Sequence, residues 1–269
     1  MSIPTYWSNS TQYNNAPAGT FTLPETHDQD ILNNAITDAE TALTAQGNNY
    51  IIAPMHRNTW YAYRCITHTD NSPSFFLEPS LPSTVGTALE AHGYTPISTY
   101  ISARAILPNT PFPRPKINNI HIEQIPHTHI PSLFPLLYQQ ATSGFETKMF
   151  YASITYEEFA ALYQGALNIL GDRAVLLVAR DSHNTPVGFL FGYDDPCTAR
   201  GTRMVFKTFA AAKAGAGAML AWYFHEQARS AGYHEVIHAL MHSDNISQKT
   251  SERFGGVVFR TYAVYGKHA

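Results

Sequence analysis

The stretch Lys207–Leu220, KTFAAAKAGAGAML, sets Gly215 and Gly217 among alanines directly after an apolar run. If a strand gives way to a helix here, the spacing is that of an anion cradle. The first amides of a helix lack backbone partners and carry partial positive charge, and glycine brings a ligand close to them. Ala214, Ala216 and Ala218 would keep the approach open. Hydrogen bonds to charged oxygens, at about 1.5–3 kcal/mol each, would carry most of the grip, above a macrodipole contribution of about 0.3–1 kcal/mol. The same run suits a small-residue spacer for close helix–sheet packing. It is neither a dinucleotide fingerprint, since Leu220 stands where a third glycine belongs, nor a P-loop, since no Gly-Lys-Ser/Thr follows.

A rival chemistry is spelled at residues 234–238, HEVIH, the His-Glu-x-x-His of zinc proteases. That mechanism needs a helix to aim both imidazoles at one metal. Gly232 stops the preceding helix, and Val236 and Ile237 read as a buried strand. On a strand, His234 and His238 share a face but lie about 13 Å apart at ~3.3 Å per residue, too far for one zinc ion. His127 and His129 form a second metal-like pair, read as loop or strand end before Pro131. No metal site is expected.

The elements that must position these groups follow from periodicity. Residues 1–23 read as an irregular lead-in, and 28–49 as a helix stopped by Gly47. YIIAPM, SFFLEP and ISTYISARAI read as strands, and 83–94 as a helix. LPNTPFPRPK, residues 108–117, holds four prolines and reads as a linker between an N-terminal domain over 24–107 and a second over 118–269. Beyond it the order is strand, two helices, three strands, helix, strand, helix, strand. Thr155 and Glu158 have capping-box spacing at the second helix. There is also an internal repeat: Met55-His56 and Met241-His242 each end an apolar strand. Gly93 and Gly255 each precede a Thr-Tyr pair, Thr99-Tyr100 and Thr261-Tyr262, at equal spacing.

Bulk properties narrow the classes. The 269 residues are 44% hydrophobic, ordinary for a packed protein. Seventeen basic residues against twenty acidic ones, scattered along the chain, advertise no nucleic-acid surface. No apolar run suits a membrane helix, and no export signal is read. Cys65 and Cys197 read as reduced thiols of a cytoplasm-like compartment.

On the glycine loop and its setting, residues 118–267 resemble the GNAT acyltransferase superfamily, whose cofactor loop reads Gln/Arg-x-x-Gly-x-Gly/Ala. Ala212 to Gly217 match its second half, with Ala212 in place of the Gln or Arg. Residues 28–105 resemble a degenerate half of the same kind, as in bacterial tandem-GNAT proteins. The resemblance implies a mixed α/β GNAT fold in two halves, the first incomplete. It implies binding of acetyl- or another acyl-coenzyme A by Thr208, Phe209, Ala210, Lys213, Ala214, Gly215, Ala216, Gly217, Ala218, Asn245 and Lys249, with Arg253 a further phosphate contact. Many members carry a general-acid tyrosine seven residues after the asparagine; Glu252 stands there.

The implied reaction is direct attack of a small amine, or an amino-acid-like acceptor, on the thioester. It needs an oxyanion donor, assigned to main-chain amide near Phe209 or Ala210, a base and an acid. Glu252, Tyr262, Tyr193 and Asn245 are the catalytic candidates, with Asp194 and Ser243 behind them; Glu78, Trp60 and Tyr63 are candidates for the acceptor pocket. The alternatives are a coenzyme-A-binding sensor without turnover, a Fem-type aminoacyl-tRNA ligase, and the zinc protease.

Overall fold

A computed structural model describes residues 5–244 and 246–269, with Ile246 by its backbone only. Before the linker the chain runs β1 (Tyr6–Tyr13), β2 (Ala16–Phe21), α1 (Gln29–Ala45), β3 (Tyr50–Ala53), β4 (Cys65–Thr69), α2 (Ser83–Ala91) and β5 (Thr95–Ile106). After it come β6 (Ile120–Ile125), α3 (Phe134–Phe145), α4 (Tyr156–Leu170), β7 (Ala174–Asp181), β8 (Pro186–Asp194), β9 (Arg203–Ala211), α5 (Ala216–Ser230), β10 (Glu235–His242), α6 (Ile246–Arg253) and β11 (Val257–His268). Among the described residues, no helix is long and apolar enough to cross a membrane.

All strands join one sheet in the order β1-β2-β3-β11-β5-β10-β9-β8-β7-β6, with β4 also on β11. The centre of this order is nearly a palindrome. Each half contributes a parallel pair linked through a helix: β2 with β3 across α1, and β9 with β10 across α5. Parallel neighbours need such a crossover. Each half then sends its last strand into the other half's sheet, so β11 lies between β3 and β5, and β5 lies between β11 and β10. The two copies of the repeat meet there, with Tyr100 opposite Tyr262.

Amphipathic spacing sets which face each helix buries. Leu32, Ile36, Ala39 and Leu43 of α1 are fully buried against Phe21, Ile51 and α2. α5 buries Leu220, Phe224 and Ala228 on one face of the second-half sheet; Phe134, Leu137 and Phe159 of α3 and α4 cover the other. The expected capping box is present, Thr155 Oγ1 accepting from Glu158 N and Glu158 accepting from Thr155 N.

Two sequence expectations are corrected. The lead-in is a β-hairpin over Tyr6–Phe21, whose Thr11 Oγ1 donates to Phe150 O at 2.6 Å. SFFLEP is not a strand; the neighbouring strand is β4, and residues 73–79 are an irregular segment carried into the second half. Arg203 holds it, donating to Asp195 Oδ2 at 2.8 Å and to Ser74 O at 2.9 Å, while Phe75 enters the core beneath α3 and α4.

Candidate active site

β9 and β10 are hydrogen-bonded only from Arg203–Glu235 to Phe206–His238. Beyond that point both strands bulge: β9 against Phe191–Gly192, and β10 against β5 between His238 and Met241. A bulge adds a residue, increases local twist and re-aims a side chain. Here the two bulges drive the parallel neighbours apart. The gap opens into a cavity of about 980 Å³ that reaches both faces of the sheet. On one face its wall holds Leu162 and Tyr163 of α4; on the other, Phe209, His238, and Ser247 and Ser251 of α6.

The first half closes the α3–α4 side. Trp60 lines the cavity and donates from Nε1 to Ala152 O at 2.9 Å, edge-on to Phe145, Tyr151 and Phe159. Tyr63 and Glu78 line it too, so the three proposed acceptor-pocket residues border the same cavity. Glu78 is fully partnered: one oxygen accepts from Tyr262 Oη, the other from Arg260 Nη1 and from Phe75 N at 3.2 Å. Glu78 and Arg260 are both nearly inaccessible, so this is a buried ion pair that fixes the wall.

Lys207, which the sequence reading passed over, is the residue displaced at the β9 bulge, and it lines the cavity. Burial, and after it the charge of Arg64, lowers its amine to about 7, with Glu78 pulling the other way. The sequence held one signal: a lone lysine inside the apolar strand MVFKTFA, just before the glycine loop. The tyrosines among the catalytic candidates sit elsewhere. Tyr262 is fully buried, bonded to Glu78 and, at 3.0 Å, to Ser102, and burial holds its phenol protonated. Tyr193 is equally buried, donates to Phe76 O, and is raised well above its usual range by burial. Neither is among the cavity-lining residues. Both lock the segment that carries Glu78. Glu252 and Lys249 are exposed on α6, outside the cavity wall. Asn245 lies outside the described residues.

On the α5–α6 side a buried chain of hydrogen bonds fixes three groups. His225 Nδ1 lies 2.7 Å from Ala221 O, so it is the donor there, and His225 Nε2 is left as an acceptor. His238 Nε2 then donates to it at 2.7 Å, and His238 Nδ1 accepts from Ser251 Oγ. Burial lowers His225 to about 4 and His238 well below its ordinary value, so both stay neutral. This also disposes of the HEVIH reading. His238 is spent in this chain on a strand, His234 is exposed, and Glu235 pairs with Arg104 at 3.3 Å.

The glycine loop lies where β9 leaves the parted edge. Gly215 caps α5 at φ +89°, with no side-chain cap and no acid in the first turn. A Cβ on Gly215 would come within 2.9 Å of Ile117 of the linker, and one on Gly217 within 3.3 Å of Phe209. Both glycines thus answer to their neighbours as well as to any ligand. Lys213 turns away to Asp181, 3.2 Å from its Oδ2. Thr208 and Phe209 line the cavity; Ala210, Ala214, Gly215, Gly217 and Ala218 are not part of its wall, and Ala216 is buried beneath the loop.

No known family profile matches this sequence, and no curated protein is significantly similar to it. Solved structures are similar. A tandem GNAT protein from the clavulanic acid biosynthesis pathway superposes over 94% of this chain and 75% of its own, with a TM-score of 0.58 at 9% identity. A GCN5-related N-acetyltransferase from Sphaerobacter thermophilus does so over 99% and 76%, with a TM-score of 0.57 at 13% identity. Eis1 from Mycobacterium abscessus matches over 98% of this chain and 59% of its own, with a TM-score of 0.53 at 11% identity.

Proposed function

We propose that this chain, which has the GNAT fold in a tandem arrangement, is an acyl-coenzyme-A-dependent N-acyltransferase. In its simplest form it acetylates the amine of a small, amino-acid-like acceptor. The observation that carries this reading is the parting of β9 from β10 into a cavity open to both faces of the sheet. Parted edges leave backbone N–H and C=O groups without strand partners, and an extended, amide-bearing arm is the ligand shape that pairs with them.

The residues present fit coenzyme A. The first-turn amides of α5 at Gly217 and Ala218 are uncapped and would hold its diphosphate, and the edge at Thr208–Ala210 its arm. When bound, it supplies an acyl group activated as a thioester. The chain's own contribution lies on the opposite face of the gap. An ammonium ion has no lone pair to attack with; Lys207, its amine lowered to about 7 and so about half neutral at that pH, accepts that proton at Nζ. Trp60, Tyr151 and Met149 wall the acceptor side. Tyr262 and Arg260 keep Glu78 in place.

The test is thermal unfolding with and without acetyl-coenzyme A, followed by thiol release over a panel of amines. A raised Tm with amine-dependent release supports the enzyme. A raised Tm without release from any amine leaves a coenzyme-A-binding sensor, and an unchanged Tm overturns the reading.

A further inference from the structure

Three arginines are almost entirely buried: Arg203, Arg260 and Arg64. A buried guanidinium is costly unless paired. Arg203 faces Asp195 and Arg260 faces Glu78. Arg64, only 5% exposed, has no carboxylate in ion-pair reach among the described residues. Its guanidinium lies in the corner formed by the nearly perpendicular rings of Tyr63 and Tyr100, 3.9 and 3.8 Å from their centroids. Its Nη1 donates to Leu240 O at 3.3 Å, and its Nε is buried without a partner. Residue 64 takes a positive φ of 75°, unusual for a side chain of this size. All three residues line the cavity, and so does Lys207, whose amine feels the Arg64 charge. The nearby acid, Glu78, is already committed to Arg260 and Tyr262.

We propose that Arg64 is the seat of a ligand carboxylate, so that the acceptor is an amine that also carries a carboxylate group. The inference deepens the acyltransfer reading and rests on it for the word acceptor. Contact with two nearly perpendicular rings holds the guanidinium in place and offsets part of its desolvation. The free Nε edge offers the planar, two-point geometry that suits a carboxylate. With its carboxylate on Arg64, an amino-acid-like ligand has its amine inside the cavity that Lys207 lines. A second source of the same group is a dicarboxylic acyl chain ending in a carboxylate.

The experiment needs no turnover. Thermal shift of the full chain, without coenzyme A, compares N-acetylglycine, N-acetylleucine and N-acetylphenylalanine with their carboxamides at millimolar concentration. The acids are expected to raise Tm by several degrees and the amides to leave it unchanged. Arg64→Met should abolish the difference and Arg64→Lys should keep part of it. Without ligand, R64M should be at least as stable as the wild type, because an uncompensated charge is gone. A purely structural Arg64 would instead make R64M less stable, and that result overturns the proposal. So does an equal shift from acids and amides, or discrimination that survives in R64M. In a further arm, an Arg64-dependent shift with succinyl-coenzyme A beyond that of acetyl-coenzyme A, with none from the acids, assigns the carboxylate to the acyl chain. It thereby overturns the acceptor assignment. Failure here leaves the acetyl-coenzyme A shift and thiol release untouched, so the two readings fail separately.

Discussion

The molecule contains the same device twice, closed in one copy and open in the other. In the first half, β2 and β3 run parallel through Gly19–Ile51 and Thr20–Ile52, and the chain beyond them is stitched together. Met55 N donates to Phe21 O at 2.8 Å and Thr20 Oγ1 to Arg57 O at 3.2 Å. The crossover helix α1 is capped by Asp28, which accepts from Asp30 N and Ile31 N, and Asp30 adds a second acid to its first turn. In the second half, β9 and β10 part, and α5 starts from a bare glycine with no acid nearby. An anion approaching α1 meets two carboxylates and amides already bonded. One approaching α5 meets open donors. Similar topology therefore does not make two similar sites; capping chemistry and strand bulges decide which copy has room for a ligand.

Removing Lys207 breaks the open copy most severely. For Lys207→Met, turnover is expected to fall about 100-fold or more, in the usual range for a lost general base, while the Tm shift with acetyl-coenzyme A persists. In the wild type, turnover should rise with pH through about 7, where Lys207 loses its proton, and that limb should vanish in the variant. A pH profile of steady-state rates checks both.

Ala218→Asp makes α5 resemble α1. An acid at this third helical position should weaken acetyl-coenzyme A binding roughly ten- to a hundred-fold, as expected when a charge-assisted bond worth about 1.5–3 kcal/mol is lost. The ligand-free protein should be unchanged or gain up to about 1 kcal/mol. The reciprocal change, Asp28→Ala, should cost about 1 kcal/mol and leave binding alone. Calorimetric titration and urea unfolding measure the pair.

A smaller effect is expected from the paired histidines behind the gap. His225 is lowered to about 4 in the folded protein, and His238 is lowered too. The unfolded chain therefore binds protons first as pH falls below the ordinary histidine value of about 6.5. Stability should be full above that pH and decline toward 4, by about 1 kcal/mol per histidine at pH 5.5. Urea unfolding from pH 7.5 to 5 checks the sign.

What could be read from the sequence followed from local rules. The capping box at Thr155, the strand MVFKTFA and the helix after the glycines are patterns of neighbours, and each element stands where periodicity put it. The hairpin at the start was missed because YWSNSTQY is polar and its pairing is interrupted between Trp7 and Thr11. SFFLEP misled because a short apolar run looks the same in a strand as in a segment plunged into another core. The site itself depended on partners distant in the chain. Nothing adjacent to Lys207 announces a bulge, and nothing near Arg64 shows that Tyr100 will stack over it. Glu78 could be named as a pocket candidate, but its bonds to Arg260 and Tyr262, more than 180 residues away, could not be read.

The exchange of β5 and β11 has a consequence for how this molecule can be taken apart. A protease that nicked the proline-rich connection would produce two polypeptides but not two proteins, because each fragment would still be threaded through its sibling's sheet. The cut ends would stay moored as well, since Phe112 accepts from Trp222 and donates to Glu226. Separately expressed pieces would meet as complementary halves, each lacking an inner strand that the other supplies.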